Sequence, residues 1–226
     1  MPTIAYQRLL IWLLALTLAV SAVFTSFPQL DIAFSALFYR GGFWLAELVI
    51  LEQIRQALII FMYVFALGVL VAFLANLLRR RPVRALGYAV AVILAGPLLL
   101  VNAILKDNWG RARPENITAF GGDKEFSPAY LFSDQCDVNC AFTSGEGAGI
   151  AVTALLIAFL AWPKLRQRGR RWLGAGLGLM VVVGAGLRVV TGRHFLSDTL
   201  LSILFCALVA AVLYRMFYPA SAPRSQ

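Results

Sequence analysis

Six stretches of this chain contain no Asp, Glu, Lys or Arg and consist largely of apolar residues. A bilayer core of about 30 Å requires roughly 20 helical residues, with a range of about 17–25. The last two stretches have 16 residues each, so their helices must extend into flanking polar residues, which places Arg188 and Asp198 at the membrane edge. The pattern predicts an all-α membrane protein, a bundle of six transmembrane helices. The stretches cover residues 9–27, 56–78, 85–105, 147–163, 172–187 and 199–214.

The composition agrees with a single membrane-embedded domain, residues 1–226. Hydrophobic residues make up 61% of the chain and charged residues 14%, whereas soluble domains carry about 25% charged residues. This excludes soluble, disordered and coiled-coil classes. A cleaved signal peptide is the alternative for the first stretch, since small residues at Ser21 and Ala22 are typical of a processing site.

The net charge of +9 reflects topology rather than a nucleic-acid partner. Both termini and the connections after the second and fourth stretches hold 12 of the 20 Lys and Arg residues and no acid. Positive residues favour the cytoplasmic side, so we expect both termini in the cytoplasm of a bacterial inner-membrane protein. No obligate protein partner is evident from the sequence.

Two outer segments are too long for simple turns. Residues 28–55 mix aromatic and polar positions, which predicts a short helix lying in the membrane interface. Residues 106–143 form a loop of a length that is usually functional, and its part 120–130 either shapes a headgroup pocket or is plainly solvated. The tail, residues 219–226, is predicted to be disordered.

Three candidate segments lie at the outer ends of the helices, and the first holds Lys106, Arg111 and Arg113. Arginine binds phosphate through its planar fork and lysine acts as a point charge. Three cations within eight residues suit a dianionic phosphate; anchoring to lipid headgroups is the alternative.

The second candidate segment is Ser144-Gly145-Glu146, at the start of the fourth stretch. A helix N-terminus with small residues binds anions through free backbone N–H groups, although Ser144 could equally be a simple N-cap. A carboxyl removed from water favours its protonated form, so Glu146 is a candidate general acid.

The third candidate segment contains Arg188, His194 and Asp198, and His194 is the only histidine of the chain. Residues four apart share one helical face, so Asp198 is expected to accept a hydrogen bond from the imidazole. That bond would leave the other ring nitrogen free as a nucleophile or base. Gly192 permits a turn that would return Arg188 to the same site.

These segments resemble the signature of the type 2 phosphatidic acid phosphatase superfamily of integral-membrane lipid phosphatases. The signature reads Lys-x6-Arg-Pro, Ser-Gly-His and Arg-x5-His-x3-Asp, and its elements fall at residues 106–114, 144–146 and 188–198. This motif-bearing core lies within residues 101–200. Two positions depart from the family: Glu146 replaces the second-element His, and Leu187 stands where the family often has Ser.

The resemblance implies a periplasmic site without a metal or other cofactor. His194 would attack phosphorus and form a phosphohistidine, and Asp198 would orient its ring. The family's second-element His is the general acid, and we expect a protonated Glu146 to take that role; the alternatives are a slow enzyme, one suited to a better leaving group, or a phosphotransferase. The implied phosphate ligands are Lys106, Arg113, Ser144, Gly145 and Arg188, with Arg111 as a further contact.

Cys136 and Cys140 flank three residues of the outer loop. A disulfide there would pin the loop on an oxidising side of the membrane, although a pair four residues apart requires a non-helical turn. Cys206 lies inside the sixth stretch as a buried thiol.

The sequence therefore predicts a metal-independent hydrolase of a membrane lipid phosphate or diphosphate. A lipid A-type glycolipid is weakly favoured, and undecaprenyl diphosphate and phosphatidylglycerophosphate stay open as substrates. A lipid phosphotransferase and a non-catalytic lipid-phosphate binding protein are the competing functions.

Overall fold

The computed structural model describes residues 3–219, so all but the first residue of the predicted disordered tail lies outside it. The described residues form helices and no strand, and six helical segments are long and apolar enough to cross a bilayer. The predicted all-α bundle of six spans is confirmed. In chain order the helices are α1 (Thr3–Ser26), the short α2 (Gln29–Ala36), α3 (Val49–Leu78), α4 (Arg84–Ile93) continued by a π-helix (Leu94–Lys106), α5 (Gly145–Ala161), α6 (Gln167–Val190) and α7 (Leu196–Phe217).

The last two spans extend beyond their apolar stretches, as predicted. Helix α6 ends two residues after Arg188, and α7 begins two residues before Asp198. Large apolar side chains cover the outside of the bundle; Trp12 is 73% exposed and Leu18 68% exposed. Such a surface is stable where lipid, rather than water, surrounds it.

Helix α5 lies at the centre, and small residues let its neighbours approach closely. A Cβ atom on Gly149 would collide with Met62 of α3, and one on Gly184 of α6 would collide with Ile150. Membrane helices commonly pack through small residues in this way.

The first helix packs into the bundle. The Tyr6 hydroxyl donates a hydrogen bond to the Ala211 carbonyl of α7, at 3.2 Å, and the Tyr130 hydroxyl donates to Ser21 Oγ at 2.6 Å. These contacts favour a membrane span over a cleaved signal peptide for the first stretch.

The third span changes from α-helix to π-helix shortly before Pro97. Proline has no N–H and its ring clashes with the preceding turn of an α-helix. The wider turn of a π-helix relieves this clash. The Asn102 side-chain amide donates to the Pro97 carbonyl at 2.6 Å. The π-helix ends at Lys106 and so determines where this cation enters the site.

The two outer segments cover one end of the bundle. The predicted short helix is present as α2, and after it Tyr39 and Phe43 pack on Phe120 of the long loop, with ring centroids 5.1 and 5.3 Å apart. Short 3-10 turns lie at Trp44–Glu47, Pro114–Asn116 and Thr118–Phe120. The long loop is thus a packed cover, and residues 120–130 do not line the cationic cavity described below.

Candidate active site at the outer end of the bundle

A cavity of about 260 Å³ opens beneath this cover. It brings together three of the predicted phosphate ligands, Lys106 from the π-helix, Arg113 from the long loop and Arg188 from α6. Four further charged side chains line it: Glu52, Arg55, Glu146 and Arg193. Cations therefore outnumber carboxylates in the cavity, which favours an anionic ligand.

Arg188 is the most deeply placed of these cations. Its residue is 7% exposed, and its Nε atom has no hydrogen-bond partner in the part of the chain that the structure describes. The closest carboxylate oxygen, Glu146 Oε2, is 3.6 Å from that Nε and also lacks a hydrogen bond. Buried polar atoms are costly to leave unpaired, so this gap suits an incoming phosphate oxygen.

A tight turn at Gly192 links α6 to the predicted nucleophile. Gly192 has a φ of +71°, a left-handed conformation that favours glycine. The backbone N–H groups of Arg193 and His194 both donate to the Arg188 carbonyl, each at 3.0 Å. The turn therefore holds His194 against Arg188, as the sequence predicted.

The imidazole of His194 is fixed by a backbone carbonyl. Its Nδ1 lies 2.7 Å from the Ala141 oxygen, and because a carbonyl only accepts, Nδ1 must donate and Nε2 carries the free lone pair. Burial lowers the pKa of His194 well below its usual value, and the positive charges of Arg188, Lys106 and Arg113 lower it further. His194 is only 1% exposed and does not itself line the cavity.

The expected hydrogen bond between Asp198 and His194 is absent from the described residues. Asp198 Oδ2 instead accepts from the Phe195 backbone N–H at 2.9 Å, and Oδ1 accepts from Arg111. The prediction assumed one helix through both residues, but α7 begins at Leu196, so His194 precedes the helix and the four-residue spacing does not align the side chains.

Arg111 is a structural residue rather than a phosphate contact. It is 0% exposed and forms ion pairs with Asp31, at 2.8 Å, and with Asp198. Its Nε donates to the Ser127 carbonyl at 2.8 Å, and its guanidinium carbon lies 4.2 Å from the centre of the Phe195 ring. The partners of its guanidinium group all lie inside the protein, and Arg111 does not line the cavity.

In the second sequence element, Ser144 and Gly145 have local structural roles, and their contact with a phosphate stays a prediction. Ser144 is 0% exposed, and its Oγ accepts a hydrogen bond from the Gly147 N–H at 3.2 Å, so the simple N-cap interpretation fits. A Cβ on Gly145 would collide with Asn102, which explains the glycine by packing. Neither residue lines the cationic cavity.

Glu146 is not the isolated, desolvated carboxyl that the sequence suggested. Its Oε1 forms an ion pair with Arg55 Nη1 at 2.9 Å, and its side chain is 25% exposed. Sequence reasoning missed Arg55, although a single Arg at the head of an apolar helix on the outer side was a usable signal. Asp31, now paired with Arg111, was missed because it lies in a segment interpreted only as interfacial.

A second cavity, of about 310 Å³, adjoins the first. It lies between α3, the π-helix and α5, and it shares Lys106 and Glu146 with the cationic cavity. Most of its lining is apolar and includes Met62, Leu98 and Val152. An aliphatic chain could therefore lie beside the bundle while a charged head reaches the cations.

Cys136 and Cys140 are joined as a disulfide, with their Cα atoms 5.6 Å apart. The intervening segment is not helical, which meets the geometric condition raised by their spacing. The Asn139 carbonyl accepts a hydrogen bond from Arg113 Nη2 at 2.8 Å, so this small ring supports one cavity cation. Cys206 is a buried free thiol.

No group of three or more His, Cys, Asp or Glu side chains within residues 3–219 is placed to hold a metal ion. Independence from metals stays a prediction.

Comparison with known proteins identifies the superfamily of this chain. The PAP2 superfamily profile matches residues 84–221, which include every element of the signature, and the chain belongs to this superfamily. The predicted resemblance to type 2 phosphatidic acid phosphatases is thus confirmed. The prediction that the chain is a multi-pass bacterial membrane phosphatase is also confirmed.

Three curated relatives are all named lipid A 4'-phosphatase. The chain is 31% identical over 218 residues to a lipid A 4'-phosphatase of Francisella tularensis subsp. novicida (strain U112), covering 86% of this chain and 89% of that protein. It is 32% identical over 216 residues to a lipid A 4'-phosphatase of Rhizobium leguminosarum, covering 86% and 90%. It is 31% identical over 215 residues to one of Rhizobium etli, covering 86% and 82%. No solved structure gave a significant match.

Proposed function

We propose that this protein removes a phosphate group from a lipid A-type glycolipid at the periplasmic face of the inner membrane, without a metal ion. The observation that carries the proposal is the junction of a cationic and an apolar cavity at Lys106 and Glu146. The first suits a phosphate and the second an acyl chain. The name shared by the relatives supports lipid A among the lipids that fit this description.

In the first step His194 Nε2 attacks phosphorus, and the bond from phosphorus to the lipid oxygen breaks. Lys106, Arg113 and Arg188 hold the phosphoryl oxygens and stabilise the charge that develops on them. Protonated Glu146 gives its proton to the leaving oxygen. The products are the dephosphorylated lipid and a phosphohistidine.

In the second step water attacks the phosphohistidine, and the Glu146 carboxylate accepts the proton of that water. Phosphate leaves and both side chains return to their starting states. Glu146 faces two arginines at rest, and a phosphate dianion bound beside it would compete with the carboxylate for both. Asp198 contributes indirectly, by holding the start of α7 through Phe195.

The distribution of basic residues supports an assignment of the side of the membrane that the cavity faces. The connections that join α3 to α4 and α5 to α6 are rich in arginine and lie at the end of the bundle opposite the cavity. Cytoplasmic loops are enriched in Lys and Arg, so this end and both termini face the cytoplasm and the cavity faces the periplasm.

The test is phosphate release by the purified protein in detergent with EDTA present, wild type beside His194→Ala. Lipid A, undecaprenyl diphosphate and phosphatidylglycerophosphate serve as substrates. We expect release from lipid A, at least about 10³-fold slower in the variant because a nucleophile has been removed. His194→Asn, which keeps a donor for the Ala141 carbonyl, is the matched control for loss of folding.

Three results would redirect the proposal. Preference for another lipid would correct the substrate, and transfer of phosphate to an added lipid acceptor would indicate a phosphotransferase. No release from any substrate, with binding retained, would favour a binding protein.

A further inference from the structure

We propose that Arg55 is a positioning residue for Glu146, selecting which oxygen of its carboxylate faces the reaction. This inference rests on the proposed function, since it concerns the delivery of a proton to the leaving group. Arg55 belongs to α3 and lies outside the three signature elements, and it reaches Glu146 across 91 positions of sequence.

The contacts of the two Glu146 oxygens are unequal. Oε1 accepts a hydrogen bond from Arg55 Nη1 at 2.9 Å, whereas Oε2 is buried and has no hydrogen-bond partner among the described residues. Oε2 faces Arg188 Nε at 3.6 Å. The oxygen that is free to carry a proton is therefore the one directed at the phosphate-binding arginine.

Arg55 is itself held in place on its own helix. Its Nε and Nη2 donate to the two carboxylate oxygens of Glu52, at 2.8 and 2.7 Å, and the Gln56 side chain donates to Glu52 at 2.7 Å. The bidentate fork fixes the plane of the guanidinium, which leaves Nη1 directed at Glu146. The Glu52–Arg55 pair thus forms a rigid support for the catalytic carboxyl.

Without Arg55, Glu146 would be held only by Arg188, whose Nε already lies 3.6 Å from Oε2. A closer, hydrogen-bonded ion pair between them would occupy a phosphate ligand and direct the carboxylate away from the leaving oxygen. Proton delivery matters most when the leaving oxygen is a poor leaving group. Loss of Arg55 should therefore slow alkyl phosphates far more than aryl phosphates.

The experiment measures kcat and KM for the lipid substrate, whose leaving group is an alkoxide, and for p-nitrophenyl phosphate, whose leaving group is good. For Arg55→Gln we expect kcat on the lipid to fall about 30-fold or more and kcat on the aryl ester to change less than about threefold, from the usual range for acid–base catalysis. Arg55→Lys should restore part of the loss. Glu146→Gln should show the same pattern, and adding Arg55→Gln to it should cost little more.

Glu52→Gln is the matched control, because it keeps Arg55 and weakens only its support; we expect a loss smaller than that of Arg55→Gln. Thermal unfolding in detergent verifies that each variant is folded. Equal losses on both substrates, a rise in KM alone, or additive effects with Glu146→Gln would overturn the proposal. An inactive wild type would instead contradict the phosphatase function itself, so the two failures are distinguishable.

Discussion

Two groups of charged side chains lie at the same end of this bundle, and they differ in how completely they are paired. In the buried cluster, Arg111 donates to Asp31 and Asp198, and all three residues are at most 1% exposed. In the cavity cluster, Lys106, Arg113 and Arg188 converge with few carboxylates to neutralise them. The sequence presents Arg111 and Arg113 as near neighbours of one motif, yet they belong to different clusters.

The difference shows how to separate structural from functional charge. A buried ion pair whose hydrogen bonds are complete has no capacity left for a ligand, and removal of one partner leaves an uncompensated charge. A cation such as Arg188, whose Nε lacks a hydrogen bond within the described residues, retains that capacity. Completeness of pairing, rather than the identity of the residue, therefore distinguishes the two clusters.

The largest expected effects come from exchanging one arginine in each cluster. Arg188→Gln should lower kcat/KM about 10²–10³-fold, the range seen when a group that stabilises developing charge is removed. Arg111→Gln should instead lower the free energy of unfolding by about 3–5 kcal/mol, because Asp31 and Asp198 lose their buried counter-charge. Phosphate release and denaturation in detergent measure the two quantities.

Each variant serves as the control for the other. Arg188→Gln should unfold at nearly the wild-type temperature, and Arg111→Gln should lose activity only in proportion to the protein that is unfolded. A stable but inactive Arg111→Gln would place Arg111 in the catalytic site and contradict the division into two clusters.

The membrane spans and the approximate position of the site were predictable because they depend on properties of short sequence segments, namely hydropathy and motif spacing. Hydropathy determines the six helices, and the three signature segments all follow helix ends on one side. The short α2 was predictable as a helix, but the inward turn of Asp31 was not, because its partner Arg111 is 80 positions away.

The errors in the site came from assumptions about helix boundaries and from long-range pairing. The expected His194–Asp198 contact depended on helical geometry that begins only at Leu196. The Ala141 carbonyl that orients His194 is a backbone group, which every residue has, so the residue type at that position does not indicate the contact. Arg55 itself stood out at the head of an apolar helix, but its pairing with Glu146 was not predictable, since only the packing of α3 against α5 brings the two side chains together.

An intermediate effect is expected from removal of the disulfide, which supports the cavity cluster from outside. Asn139, inside the ring, accepts from Arg113, and Ala141, which follows Cys140, accepts from His194. Replacing both Cys136 and Cys140 by Ser should lower kcat/KM about 3–10-fold and stability by about 2 kcal/mol, from the loop-closure entropy of a short ring.

The control for this variant uses a reductant. Dithiothreitol should reproduce the loss in the wild type and have no effect on the double Ser variant. Intact-mass analysis after alkylation of the denatured, unreduced protein should label Cys206 alone, and labelling of all three cysteines would contradict the bridge.

The smallest expected effect concerns pH and tests whether the cavity cations act on His194, the proposed nucleophile. Because burial and the charges of Arg188, Lys106 and Arg113 lower the pKa of His194 below its usual 6.5, His194 stays neutral as the pH falls through 6.5. The unfolded chain binds the proton first, so the contribution of His194 to stability is complete above that pH and declines below it.

Wild-type kcat/KM should accordingly show no loss from His194 protonation between pH 8 and about 6.5, the usual histidine value. The unfolding temperature of the wild type should fall more steeply below that pH than that of His194→Asn, which has no group to titrate there. If the two curves were parallel, His194 would not be held neutral by burial and the neighbouring cations, and the cavity cluster would lie too far from His194 to act on it. A steeper wild-type curve that flattens when Arg188 is replaced by Gln would show that the cavity cations, which are placed to attract a phosphate, also keep His194 unprotonated.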